Sequence, residues 1–175
     1  MTIPVLDTER LILRGHTRDD FPAYADMWMD PEVTRYITTG GVPRPRDEAW
    51  KSFLAVSGQW ALLNFGTWLI QDRRTGQFLG EVGWIERNRE PRTAYAGMPE
   101  LGYALVNGAA GQGLATEAVK AAIIWGRAHF GSISVLAVVS PANLASIRVV
   151  EKSGFAEIAR NHSAGRDSIY FAAQL

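Results

Sequence analysis

Polar and apolar positions alternate from Glu9 to Arg14, with Leu11 and Leu13 on one side, which predicts a half-buried strand. Thr17, with Asp20 three residues on, reads as a helix start. Phe21, Tyr24 and Trp28 follow at helical spacing until Asp30-Pro31 ends the run. A second helix is predicted from about residues 45–48, with the stripe Trp50, Phe53, Leu54, Trp60 and Ala61, and residues 38–43 form a loop before it. Two strand-like segments, 67–72 and 78–85, meet across Arg73-Arg74-Thr75-Gly76 as a hairpin. A polar loop over 86–98 leads to a strand at 100–106. Residues 107–113 are Asn-Gly-Ala-Ala-Gly-Gln-Gly, followed by a helical pattern to about Gly131. The apolar run 134–139 suits a buried strand, and 143–153 reads as a helix stopped by Gly154 at its C-terminal cap. Residues 155–160 and 168–175 form a closing hairpin around 163–165. With no repeat, low-complexity segment or linker, the pattern predicts one mixed α/β domain over 1–175.

Composition narrows the chemistry. Lys plus Arg equals Asp plus Glu at 18 each, so the basic excess of a nucleic-acid binder is missing. The chain has no cysteine, which excludes disulfides, thiolate metal sites and thiol nucleophiles. Its three histidines, His16, His129 and His162, are far apart in sequence, so no metal site is expected. The first residues lack a basic segment followed by an apolar one, and no apolar stretch is long enough to span a membrane. The expectation is a cytoplasmic protein with no membrane, nucleic-acid or metal partner.

The strand at 100–106 running through Gly111-Gln112-Gly113-Leu114-Ala115-Thr116 into a helix carries the most information. Glycines let backbone N–H groups approach an anion, and the helix start adds unpaired donors and a positive dipole end. A Walker loop needs a lysine that is missing here. A dinucleotide fingerprint needs a third glycine where Thr116 stands, and an acidic residue that 132–140 lacks. A coenzyme A pyrophosphate loop and a ligand-free turn both stay open.

The loop has companions. Thr8-Glu9-Arg10-Leu11-Ile12-Leu13-Arg14, Glu100-Leu101-Gly102-Tyr103 with 111–118, and Asn143-x-x-Ser146 followed by Glu151-Lys152-x-Gly154-Phe155 occur in order. Together they resemble the GCN5-related N-acetyltransferase (GNAT) superfamily, in its ribosomal-protein alanine/serine acetyltransferase-like branch. The resemblance covers essentially the whole chain. It departs at Ala110, where the general motif opens with Gln or Arg. It implies an α/β fold with a central twisted mixed sheet of about six to seven strands, helices on both faces, and central strands that splay after 100–106.

The resemblance also implies direct acetyl transfer from acetyl-CoA to a primary amine: a protein N-terminus, peptide, amino acid or small amine. A non-catalytic acyl-CoA-binding module is the alternative, and family habit suggests a homodimer. Backbone groups of Gly111, Gln112, Gly113, Leu114, Ala115 and Thr116 would hold the pyrophosphate. Leu105 and Val106 would pair with the pantetheine arm, and Asn143 would hydrogen-bond it while also suiting a helix N-cap. Ser146 is the candidate group at the CoA sulfur, with Tyr103 and Tyr170 as weaker candidates that also read as ordinary sheet aromatics. Glu100 is the candidate general base, through water, sharing a strand face with Gly102 and Ala104; Glu81 competes with it. Glu117 in the first helical turn reads as structural. The arginines at 87, 89 and 92 form a solvated loop or attract an acidic acceptor. Trp50, Trp60 and Trp68 read as core, and Trp28 and Trp84 as core or site.

Overall fold

Leu11 and Leu13, the apolar pair of the first alternation, are fully buried on one side of strand β2 (Leu11–Arg14). The computed structural model describes residues 2–87, 95–163 and 166–175. Ahead of β2 lies a two-residue strand, β1 (Leu6–Asp7). Six more strands follow: β3 (Thr67–Asp72), β4 (Phe78–Ile85), β5 (Glu100–Leu105), β6 (Ser134–Val139), β7 (Ala156–Ser163) and β8 (Arg166–Gln174). They form one mixed sheet in the order β1-β2-β3-β4-β5-β6-β8-β7. Every pairing is antiparallel except β5 with β6. The sheet has eight strands, one more than expected from the sequence, because β1 is too short to leave an alternation.

Among the described residues, five α-helices accompany the sheet: α1 (Phe21–Met29), α2 (Pro31–Thr34), α3 (Arg46–Leu63), α4 (Leu114–Phe130) and α5 (Leu144–Lys152). The short α2 was not anticipated, since Pro31 reads as a stop. Pro31 ends α1 and opens α2, where its missing N–H is harmless, and the Asp30 carboxylate caps it by accepting from Glu32 N at 2.8 Å. Among the described residues, no helix is long and apolar enough to cross a membrane.

Alternation along the strands sorts the core into two faces. Leu11, Leu13, Trp68, Val82, Trp84 and Leu101 pack with Ala118, Val119 and Ala122 of α4 and Val150 of α5. On the other face Tyr24, Trp28, Phe53 and Ala104 form a separate cluster under α1 and the first half of α3. Trp60 and Trp68 lie in the first core as expected; Trp50 is only partly buried and packs on Phe21 and Phe53. Trp84, open in the sequence reading, is fully buried core, and its Nε1–H donates to Ala122 O at 3.1 Å.

The parallel junction sets the site. Strands β5 and β6 share a single rung, Glu100 opposite Leu136, with Leu136 N donating to Pro99 O at 3.0 Å. Beyond Glu100 they part, so the sheet opens as a wedge toward the glycine loop.

Candidate active site

Val106 N donates to Leu79 O at 2.9 Å, across the side of β5 that faces β4. Backbone groups alternate in direction along a strand. The N–H and C=O groups of Tyr103 and Leu105 therefore face the wedge, whereas the Val106 N–H is already used. Leu105 is placed to pair with an added strand-like ligand, and Val106 is not through its N–H.

One wall of the wedge carries hydroxyls. The side chain of Tyr103 lies on the α4 and α5 face. Its hydroxyl donates to Ser146 O at 3.1 Å and sits 2.5 Å from Ser146 Oγ. Burial pushes the Tyr103 phenol up to about 12, opposed by the Ser146 hydroxyl. Asn143 caps α5, its Oδ1 accepting from Ser146 N at 3.0 Å, which fixes Ser146 in the first turn. Tyr103 is thus no ordinary sheet aromatic. Tyr170 lies elsewhere, its ring 5.4 Å from that of Tyr95.

At the mouth of the wedge the chain makes a short turn over Asn107–Ala109 and then passes through Gly111 and Gly113, with φ of 76° and 77°. That left-handed backbone favours glycine at both positions. Open space surrounds the place where a Gly111 Cβ would stand. The first helical bond of α4 is Glu117 N to Gly113 O at 3.1 Å, which leaves the N–H groups of Leu114, Ala115 and Thr116 without carbonyl partners in the helix. These donors suit an anion. The Leu114 side chain is buried, and Gln112 Nε2 is occupied by Gly108 O at 2.9 Å, so only the backbone of these two residues is offered.

A brace from the start of the chain holds this loop. Glu117 Oε1 accepts from Thr8 Oγ1 at 2.6 Å and from Arg10 N at 2.9 Å, and Oε2 accepts from Arg10 Nε at 2.7 Å. Arg10 Nη1 also donates to Gln112 O at 2.9 Å. These hydrogen bonds hold the Glu117 carboxyl below its usual range against the opposing effect of burial. Glu117 is structural, as its position predicts, but it binds the turn between β1 and β2 besides complementing the helix dipole.

The other face carries the carboxylates. Glu100 is 6% exposed and sits at the closed rung, with Arg87 Nε 3.5 Å from Oε1. Arg87 therefore serves Glu100; residues 89 and 92 lie outside the described residues. Glu81 is 7% exposed and stands in a cross-strand row, Arg14–Leu69–Glu81–Ala104. Ala104 belongs to the part of β5 that β6 has left, so Glu81 lies one strand, about 5 Å, from the open wedge. Burial pushes its carboxyl up to about 7, against the opposing pull of Arg44 and Arg87.

Around Glu81 lie residues that the sequence reading did not connect with it. His16 Nε2 is 3.9 Å from Glu81 Oε2. Tyr24 and Trp28, one turn apart on α1, are 0% and 4% exposed. The Arg44 guanidinium stacks over the Trp28 ring, 3.8 Å from its centre. Burial lowers His16 to about 4, so the imidazole is neutral at physiological pH. Sequence separation hides this group: nothing local to His16 points to a strand sixty-odd residues away. Among the described residues, no three His, Asp or Glu side chains gather as metal ligands.

Comparison with known proteins identifies the pattern. A family profile described as an acetyltransferase (GNAT) domain matches residues 10–156. An uncharacterised Bacillus subtilis protein, YkkB, is 32% identical over 154 residues, 85% of this chain and 83% of that protein. An acetyltransferase from Agrobacterium tumefaciens superposes with a TM-score of 0.83 at 29% identity, covering 99% of this chain and 95% of that one. The ribosomal-protein α-N-acetyltransferase RimL, solved with coenzyme A, shares the fold at a TM-score of 0.76 and 15% identity, covering 98% of each chain.

Proposed function

The chain belongs to the GNAT acetyltransferase family, and from that premise we propose that it binds acetyl-CoA in the wedge and transfers the acetyl group to a primary amine. The observation that carries this reading is the single rung between β5 and β6 together with the glycine turn at its mouth. The unpaired N–H groups of Leu114, Ala115 and Thr116, with the backbone at Gly111 and Gly113, fit a pyrophosphate. The free edge at Tyr103 and Leu105 fits an extended amide-bearing arm, and Asn143 keeps its amide NH2 for that arm while its oxygen caps α5. Acetyl-CoA supplies an activated acetyl thioester.

The two faces divide the protons. A substrate ammonium loses two protons on becoming an amide; one ends on the departing thiolate and the other in solvent. On the α5 face, the Ser146–Tyr103 pair delivers the first, with Ser146 Oγ nearest the sulfur and Tyr103 restoring its proton. On the α1 face, Glu100 draws off the other through water, and Glu81 is the second carboxylate within reach. Direct transfer needs no enzyme nucleophile, in keeping with a chain that has no cysteine. Calorimetric titration with acetyl-CoA, followed by thiol release against amines and N-terminal peptides, tests the reading. Binding with release supports it, binding without release from any acceptor supports the binding-module alternative, and no binding refutes both.

A further inference from the structure

Among the described residues, five polar atoms of four side chains on the α1 face are buried without a hydrogen-bond partner: His16 Nδ1 and Nε2, Tyr24 Oη, Trp28 Nε1 and Glu81 Oε2, with Thr67 Oγ1 a sixth on β3. The Trp28 N–H lies near enough to Tyr24 and Glu81 to favour their ionised forms slightly, short of hydrogen-bond geometry. The His16 side chain is 1% exposed, and its 3.9 Å separation from Glu81 is too long for a hydrogen bond. Phe53 supplies an apolar wall, its ring 5.5 Å from that of His16 and 5.1 Å from that of Tyr24. Unpaired buried polar atoms are rare because each one destabilises the fold. Five of them on one face, beside the open part of β5, are polar capacity that the fold itself leaves unused.

We propose that His16, Tyr24, Trp28 and Glu81 form the acceptor pocket, and that it takes a compact primary amine with an oxygen close to the nitrogen, as in amino alcohols and α-amino carbonyl compounds. This rests on the acetyltransferase reading above. The assignment follows from counting donors and acceptors. Glu81 and one nitrogen of the neutral imidazole accept, matching the N–H groups of an ammonium. The Trp28 N–H, the Tyr24 O–H and the other imidazole nitrogen donate, and an alkylamine without oxygen would leave them unpaired. Arg44 and Arg87 face Glu81, and the Arg14–Asp20 ion pair flanks His16; Arg87 also pairs with Glu100, so Arg44, stacked on Trp28, is the cation with which an ammonium shares Glu81.

Ethanolamine and n-propylamine have nearly the same shape and differ in one oxygen. Ligand-observed NMR titration of each into CoA-saturated protein should show ethanolamine binding about tenfold more tightly. Tyr24→Phe should reduce that preference to less than about twofold, and Glu81→Gln should weaken both amines by about tenfold. Equal binding of the two amines, binding of neither, or a preference that survives Tyr24→Phe overturns the pocket. Tyr24→Phe removes only an unpaired hydroxyl and should keep the wild-type melting temperature, so it decides the matter if Glu81→Gln does not fold. CoA binding is measured first in the same samples. Its absence defeats the acetyltransferase reading, whereas CoA binding without amine binding defeats the pocket alone.

Discussion

The two faces of the sheet both bury a core, but they are differently hydrogen-bonded. On the α4 face three tryptophans place their N–H groups on backbone carbonyls: Trp60 on Thr67 O at 3.0 Å, Trp68 on Pro4 O at 2.8 Å and Trp84 on Ala122 O at 3.1 Å. On the α1 face Trp28 has no such partner, and neither do Tyr24 Oη, His16 or Glu81 Oε2. One face is closed chemically as well as sterically. The other holds polar capacity in reserve, and that reserve, more than depth of burial, distinguishes a site from a core.

Four substitutions and one pH series test the contrast, in descending order of effect. Gly113→Glu forces a side chain onto a left-handed backbone beside the proposed anion site, and acetyl-CoA affinity should fall at least about a hundredfold by calorimetry. Amine binding on the α1 face should survive it; joint loss would show that the faces are not independent. Trp84→Phe removes the indole bond to Ala122 O and leaves a void under α4, and urea denaturation should report a loss of about 2–3 kcal/mol.

The pH series separates His16 from Glu81. The folded protein holds the Glu81 proton more tightly than the unfolded chain does, so this contribution to stability is complete below about pH 4.5 and is lost as pH rises through about 7. His16 has the opposite sign: its folded value near 4 makes stability rise between about pH 4 and 6.5. Over the shared range the two slopes offset each other. Glu81→Gln should therefore gain on wild type between pH 5 and pH 8, by on the order of 2–3 kcal/mol in urea titrations. An unchanged difference would mean that Glu81 is not titrating in the fold.

Ser146→Ala should lower turnover about tenfold while acetyl-CoA affinity stays within about twofold, since the role proposed for its hydroxyl is at the departing sulfur. An unaltered rate removes Ser146 from the mechanism. Trp28→Phe should have the smallest effect on stability, within about 1 kcal/mol, because its N–H has no bond to lose. A loss as large as that of Trp84→Phe would erase the distinction between the faces.

What the sequence disclosed was local. The β3–β4 hairpin, the glycine turn before α4 and the Asn143 cap of α5 are written in neighbouring residues, where turn chemistry and periodicity act directly. Glu100 was legible as a carboxylate on the face of Gly102 and Ala104. Its place at the closed rung was not, because that depends on a parallel register with Leu136. Tyr103 and Ser146 were both visible as candidates, yet their contact spans 43 positions and leaves no periodic trace. The His16–Glu81 group is longer-range still. Short elements escaped for another reason: two residues of β1 and four of α2 are fewer than one period of any pattern.

The brace from Arg10 to the glycine loop also orders events during synthesis. Arg10 precedes Gln112 by 102 residues and Glu117 by 107. The β1–β2 turn that steadies the loop is therefore synthesised about a hundred residues ahead of its partners and waits for them. The β3–β4 hairpin closes on its own residues in the meantime. The proposed anion cradle, anchored in this way, is assembled late by a segment made earlier, so a nascent chain halted before residue 117 lacks the brace of that loop.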